Sequence, residues 1–207
     1  STNKKEIFLS KMVVSAVGQL NQPNKPNFSN IKKFKGKIMH TAEWDDQYEL
    51  SGKEIIVVGN GASAVQLIPE ISKTARKINL IQRSPNWVVP KQNRKYSLIE
   101  RYMFTFFPII RWIYRWFIYW QWENTWQEFI RGSNRAIKRE HIIRGSTQRC
   151  LQKKHQAPLL IPDYPLGCRR ILLSDSYFPT LKENNVTLLS DTIKTVVSDG
   201  VVTCGGS

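Results

Sequence analysis

The sequence predicts an α/β fold with a helical insertion, and three observations predict it. First, Lys53-Glu54-Ile55-Ile56-Val57-Val58 is a short β-branched run that ends in Gly59-Asn60-Gly61-Ala62-Ser63-Ala64, a G-x-G-x-x-A turn. Second, a helical pattern follows the turn, and Ile78 to Gln82 then reads as another buried strand. Third, five of the seven tryptophans (Trp112, Trp116, Trp120, Trp122, Trp126) fall in fifteen residues with arginines among them and no alternation of β type. Strand, turn, helix and strand in that order make a parallel pair joined by a right-handed crossover, the Rossmann-like dinucleotide-binding unit. The aromatic stretch reads as helices placed between strands.

Each element has a local reason. Residues 7–16 are apolar and β-branched and are expected to form a strand that Val17 and Gly18 close. Residues 21–27, with Pro23 and Pro26, are of linker type. The helix after the turn is expected over residues 62–75, with Ala64, Leu67, Ile68 and Ile71 on one face and Pro69 kinking it or ending its first half. Helices are expected in residues 97–150, and short strands at 171–173 and 186–189. Residues 195–203 read as a hairpin turning at Asp199 and Gly200. Four stretches follow: strand and linker in 1–33, the dinucleotide unit in 34–96, a helical subdomain in 97–155, and a return to the first domain in 156–207.

Composition narrows the partners. Thirty-one Lys and Arg against sixteen Asp and Glu give a net charge of +15, which favours anionic partners. The charge allows a basic interaction protein as one reading, but no zinc finger, RNA-recognition signature or basic zipper specifies nucleic acid, and none is expected. Three widely spaced cysteines without C-x-x-C indicate neither a metal site nor a disulfide framework. With no signal-peptide pattern, a reducing cytoplasmic setting is the expectation, with membrane association as a further one.

The glycines have chemical reasons. Gly59 permits a tight turn out of the strand, Gly61 lets backbone approach a pyrophosphate, and Ala64 keeps the helix close to the strand. The helix N-terminus then offers free N–H groups and a positive dipole end. Asn60, Ala62, Ser63 and Gln66 complete the expected cofactor-binding set. NAD binders place a carboxylate about twenty residues on, at the end of the second strand. That place here holds Gln82-Arg83-Ser84. Arg83 suits the 2′-phosphate of NADP instead, with Ser84 adding a hydroxyl.

Residues 34–45 read F-x-G-x-x-x-H-x-x-x-W-D, with Phe34, Gly36, His40, Trp44 and Asp45 at the fixed positions. Placed just ahead of the G-x-G-x-x-A turn, this segment resembles the fingerprint of Baeyer–Villiger monooxygenases and their relatives among the flavin-containing monooxygenases. Residues 82–90 (QRSPNWVVP) and 162–170 (PDYPLGCRR) are similar to segments of the same family's NADPH domain. The resemblance runs from about residue 12 to 203. It implies NADP(H) as cofactor here, FAD in the full-length enzyme, and a small apolar carbonyl or heteroatom substrate. It implies that Arg170 supplies the fixed positive charge beside the flavin during oxygenation, and that Arg169, in place of the usual lysine, stands near the 2′-phosphate. No FAD-type glycine turn precedes Gly59, so a partner FAD domain of the same chain is expected elsewhere and the isolated segment is expected to be inactive. Oxygenation beside a carbonyl, oxygenation at nitrogen or sulfur, and a pure NADP-binding module all remain open. His40 is read as a hydrogen-bonding residue of the interdomain connector rather than a base, Phe34 and Trp44 as packing residues, and Gly36 as relief of a backbone constraint. The aromatic face of Trp112, Trp116 and Trp120 is expected either to pack on the NADPH domain or to touch a membrane peripherally.

Overall fold

A computed structural model describes residues 7–18, 22–151 and 157–206. Parts of the expected linker and of the boundary at 155 lie outside the described residues. The central sheet is parallel: β1 (Glu54–Val58), β2 (Lys77–Gln82) and β5 (Val186–Ser190), in the order β1-β2-β5. Ile55 pairs with Ile78 and Val57 with Leu80, and Leu80 in turn faces Leu188. β2 is the middle strand, and Ile78 and Leu80 are fully buried on it. Two minor pairs complete the strands. β3 (Val88–Val89) and β4 (Leu172–Leu173) run parallel, and β6 (Ile193–Val196) and β7 (Val201–Thr203) form a hairpin. Its turn is where the sequence puts it, with the Val197 N–H bonded to the Gly200 carbonyl at 2.9 Å.

Helix α1 (Ala62–Ile71) crosses from β1 to β2 and buries Ala64, Val65, Ile68 and Ile71. It is shorter than the expected 62–75. Pro69 lacks the N–H that would continue the ladder, and only two helical residues follow it. The Asn185 side chain then donates to the Ser72 carbonyl at 2.9 Å and the Ala75 carbonyl at 3.1 Å, satisfying carbonyls just beyond the end of the helix.

The insertion is helical, as its aromatic pattern predicts: α2 (Leu98–Phe106), α3 (Pro108–Glu123) and α4 (Asn134–Leu151). Short α5 (Tyr177–Thr180) precedes β5. α4 joins the body, burying Ile143 beside Trp87 and Leu151 in the main core. α2 and α3 pack on each other as a hairpin in which no residue is buried. α2 starts at a capping box, with the Glu100 N–H donating to Ser97 Oγ and the Ser97 N–H to Glu100. Arg94 grips the Glu100 carboxylate through two hydrogen bonds of 2.9 and 2.6 Å. That guanidinium, then the Ser97 bonds, hold the Glu100 carboxyl at about 2. Because the folded value lies below that of a free carboxylate, its support of the hairpin is complete above about pH 4.3 and is lost as pH falls towards 2. An NMR titration of Glu100 reads this directly, and a midpoint at the free-glutamate value would refute it.

Two expectations are corrected. Residues 7–16 form no strand: Ile7, Phe8, Leu9, Val13 and Val14 are exposed, and no strand among the described residues pairs with them. Apolar and β-branched side chains suit a strand, but the ladder needs a neighbour's N–H and C=O groups. The Trp112, Trp116 and Trp120 face does not pack on the α/β body either, since all three side chains are exposed.

One core group is costly. Tyr177 is 1% exposed, and its hydroxyl has no hydrogen-bond partner among the described residues. Burial pushes this phenol up, so it stays neutral. Tyr177→Phe removes an unsatisfied polar atom and is expected to raise stability by about 1 kcal/mol in urea unfolding. A loss of stability would mean that the hydroxyl is paired.

Candidate cofactor site

The site forms at the C-terminal ends of β1 and β2, where parallel sheets expose backbone to ligands. The chain leaves β1 through Gly59 at φ +95°, a left-handed value that favours glycine. Its N–H bonds the Ile81 carbonyl at 2.8 Å, tying the turn to β2. Gly61 caps α1 with no side-chain partner, so the first N–H groups of the helix are left for a ligand. A Cβ added at Gly61 would meet no protein atom within 4 Å. The glycine therefore preserves open space that a phosphate can enter, and φ there is an ordinary −69°. Ala62, Ser63 and Gln66 are exposed around this opening, and Ala64 is buried beneath it.

A ring of amides fixes the turn. Asn60 Nδ2 donates to Gln82 Oε1 at 2.8 Å and to the Ser84 carbonyl at 3.0 Å. Asn86 Nδ2 donates back to the Asn60 carbonyl and to its Oδ1, at 3.1 and 3.0 Å. The Tyr164 hydroxyl donates to the Pro85 carbonyl at 3.0 Å and stands 3.2 Å from Asn86 Oδ1. Burial pushes the Tyr164 phenol up, which keeps it a donor. Gln82 itself is fully buried, and its Nε2 bonds the Leu159 carbonyl at 2.7 Å. The strand end that carries a ribose-binding carboxylate in NAD proteins is thus occupied here by an amide with both ends engaged. Sequence reasoning noted the missing carboxylate but missed the roles of Gln82, Asn86 and Tyr164. The recurrence of amides at the ends of β1 and β2 was the available signal.

Next to this ring lies a cationic end. Arg169 Nη1 donates to Ser84 Oγ at 2.9 Å, and its guanidinium lies 4.5 Å from the centre of the Tyr164 ring. Residues 85 apart in sequence are thereby joined. Arg83, Arg169 and Arg170 are all exposed, and none is in an ion pair among the described residues. The turn, the helix end and these cations fit a phosphorylated dinucleotide.

The fingerprint segment folds on itself and on the β6–β7 hairpin. The Lys35 N–H bonds the Ser198 carbonyl at 2.9 Å. His40 Nδ1 accepts from the Ala42 N–H at 3.1 Å, so the neutral ring carries its proton on Nε2. Asp45 caps a turn through the Gln47 N–H and pairs with Lys37 at 2.8 Å, which lowers its carboxyl pKa. A Cβ at Gly36 would stand 2.6 Å from the outer edge of the Phe34 ring, which would have to swing aside. Trp44 is 37% exposed and so is largely covered by the chain around it. Among the described residues no group of His, Cys, Asp and Glu is arranged to hold a metal.

A parallel sheet with a glycine turn at its carboxyl edge defines a dinucleotide-binding α/β protein. The family model for flavin-binding monooxygenase-like proteins matches residues 1–132. The chain belongs to this family. It is 35% identical to an FAD-binding monooxygenase of Aspergillus niger, over 94% of this chain and 32% of that protein. It is 34% identical to a Baeyer–Villiger monooxygenase of Pseudomonas aeruginosa, over 96% of this chain and 38% of the relative. The chain thus spans a third to two-fifths of these relatives. The fold matches OTEMO in complex with FAD and NADP at a TM-score of 0.76 and 22% identity, covering 93% of this chain and 44% of OTEMO. It matches closed cyclohexanone monooxygenase at 0.73 and 19%, covering 93% and 43%.

Proposed function

We propose that this chain is the NADPH-binding part of an FAD-dependent monooxygenase of Baeyer–Villiger type. The reaction takes NADPH, a proton, O2 and a small apolar ketone to NADP+, water and an ester. One observation carries the cofactor reading. The open glycine turn and the Ser84–Arg169 pair are joined by the Asn60, Gln82 and Asn86 amides into one site. In this reading the N–H groups at the start of α1 hold the pyrophosphate, and Arg83 and Arg169 hold the 2′-phosphate. Bound FAD would supply the passage of electrons from NADPH to O2. Arg170, exposed and without an ion pair among the described residues, would supply positive charge to it. The relatives' names support the Baeyer–Villiger choice over oxygenation at nitrogen or sulfur. We place the protein in the cytoplasm.

The test uses the complete protein that contains this segment, loaded with FAD and given cyclohexanone, NADPH and labelled O2. One labelled oxygen in a lactone is expected. NADPH-dependent sulfoxide formation from a thioether with no lactone from any ketone would replace this reading with the heteroatom one. Arg170→Ala is expected to retain NADPH binding and lose oxygenated product. Product at the wild-type rate would remove Arg170 from this role.

A further inference from the structure

We propose that the α2–α3 hairpin docks on an anionic phospholipid surface, tip and tryptophan face first. Its inner side is already occupied, with Tyr96, Phe104 and Tyr114 rings 5.2 to 6.1 Å apart. Its outer side is open and apolar. At the tip, Phe106 and Ile109 are 62% and 68% exposed, and one and two turns up α3 Trp112 and Trp116 are 66% and 54% exposed. Arg111 and Arg115 flank this face, and neither is in an ion pair among the described residues. Glu100 is neutralised by Arg94, and Glu123 lies at the far end of α3.

The dimensions suit an interface rather than a span. α3 has 16 residues, about 24 Å, and no helix of the described chain is long and apolar enough to cross a membrane. Arg111 and Arg115 stand about 5 and 10 Å from Pro108 along the axis, so both guanidinium groups lie in the half of α3 nearest the tip. Pro108, Ile109, Arg111, Trp112 and Arg115 line a notch of about 390 Å³. Two guanidinium groups beside an indole and an aliphatic wall match a lipid phosphate above its acyl chain. Tryptophan is the residue enriched at that level. A second copy of this chain fits poorly, since it would bring the same unpaired arginines together. The net charge of +15 favours a negative surface further.

The experiment is co-sedimentation of the chain with phosphatidylcholine vesicles and with vesicles containing phosphatidylserine, combined with tryptophan quenching by brominated lipid. Binding to the anionic vesicles, quenching, and release by salt are expected. Trp112→Ala with Trp116→Ala should abolish both signals, and Arg111→Gln with Arg115→Gln should weaken anionic binding about thirtyfold. NADPH affinity, measured on the same samples, should not change in either variant, so failure here is separable from failure of the cofactor reading. No binding to anionic vesicles at low salt would overturn the proposal. So would binding that survives both double variants, or self-association that buries the tryptophans without lipid.

Discussion

Gly61→Ala is expected to leave the fold intact and to weaken NADPH about a hundredfold or more. The two halves of this result have separate causes. The added methyl meets no protein atom within 4 Å, and a φ of −69° suits alanine, so the folded chain has no reason to resist it. The same methyl enters the space at the mouth of α1 where the pyrophosphate must approach backbone N–H groups. Gly59→Ala differs, because φ +95° strains any side chain. Its loss of binding is expected together with a loss of stability. Urea unfolding alongside a cofactor-fluorescence titration separates the two cases. Wild-type affinity in Gly61→Ala would move the phosphate away from this turn.

Arg83→Ala is the second large effect, and it should fall on one cofactor only. A charge-assisted contact to the 2′-phosphate is worth about 1.5–3 kcal/mol, about ten- to hundredfold in affinity. NADH has no such phosphate, so its affinity should stay nearly unchanged. Ser84→Ala is expected to act in the same direction more weakly, because it releases Arg169 from its 2.9 Å contact. Equal weakening of NADPH and NADH by Arg83→Ala would place that arginine elsewhere on the cofactor.

What the sequence disclosed follows the range of the forces involved. β1, β2, the start of α1 and the β6–β7 turn rest on runs, glycines and periodicity within a few residues, and each stands where those patterns put it, whereas α1 ends four residues early. The candidate site was legible to the same extent. The glycine turn and Arg83 lie in local motifs, whereas Arg169 came only through resemblance to a family. The amide ring joins Asn60 to Gln82 and Asn86, and Gln82 to Leu159, contacts 22 to 77 residues apart that no local pattern records. Residues 7–16 illustrate the opposite error. Their side chains satisfy a strand, yet no neighbour among the described residues supplies the ladder. The tryptophan face was legible as a helix face, but whether it packs or stands open was not decided by the sequence. Exposure depends on what the hairpin packs against, and α2 takes the opposite side of α3.

The most direct measurement is a paired titration of the unmodified chain with NADPH and NADH, followed by cofactor fluorescence. Saturable one-to-one binding of NADPH, at least about tenfold tighter than NADH, is the result expected from a single 2′-phosphate contact. Equal affinity for the two cofactors, or no binding of either by a folded chain, would contradict it.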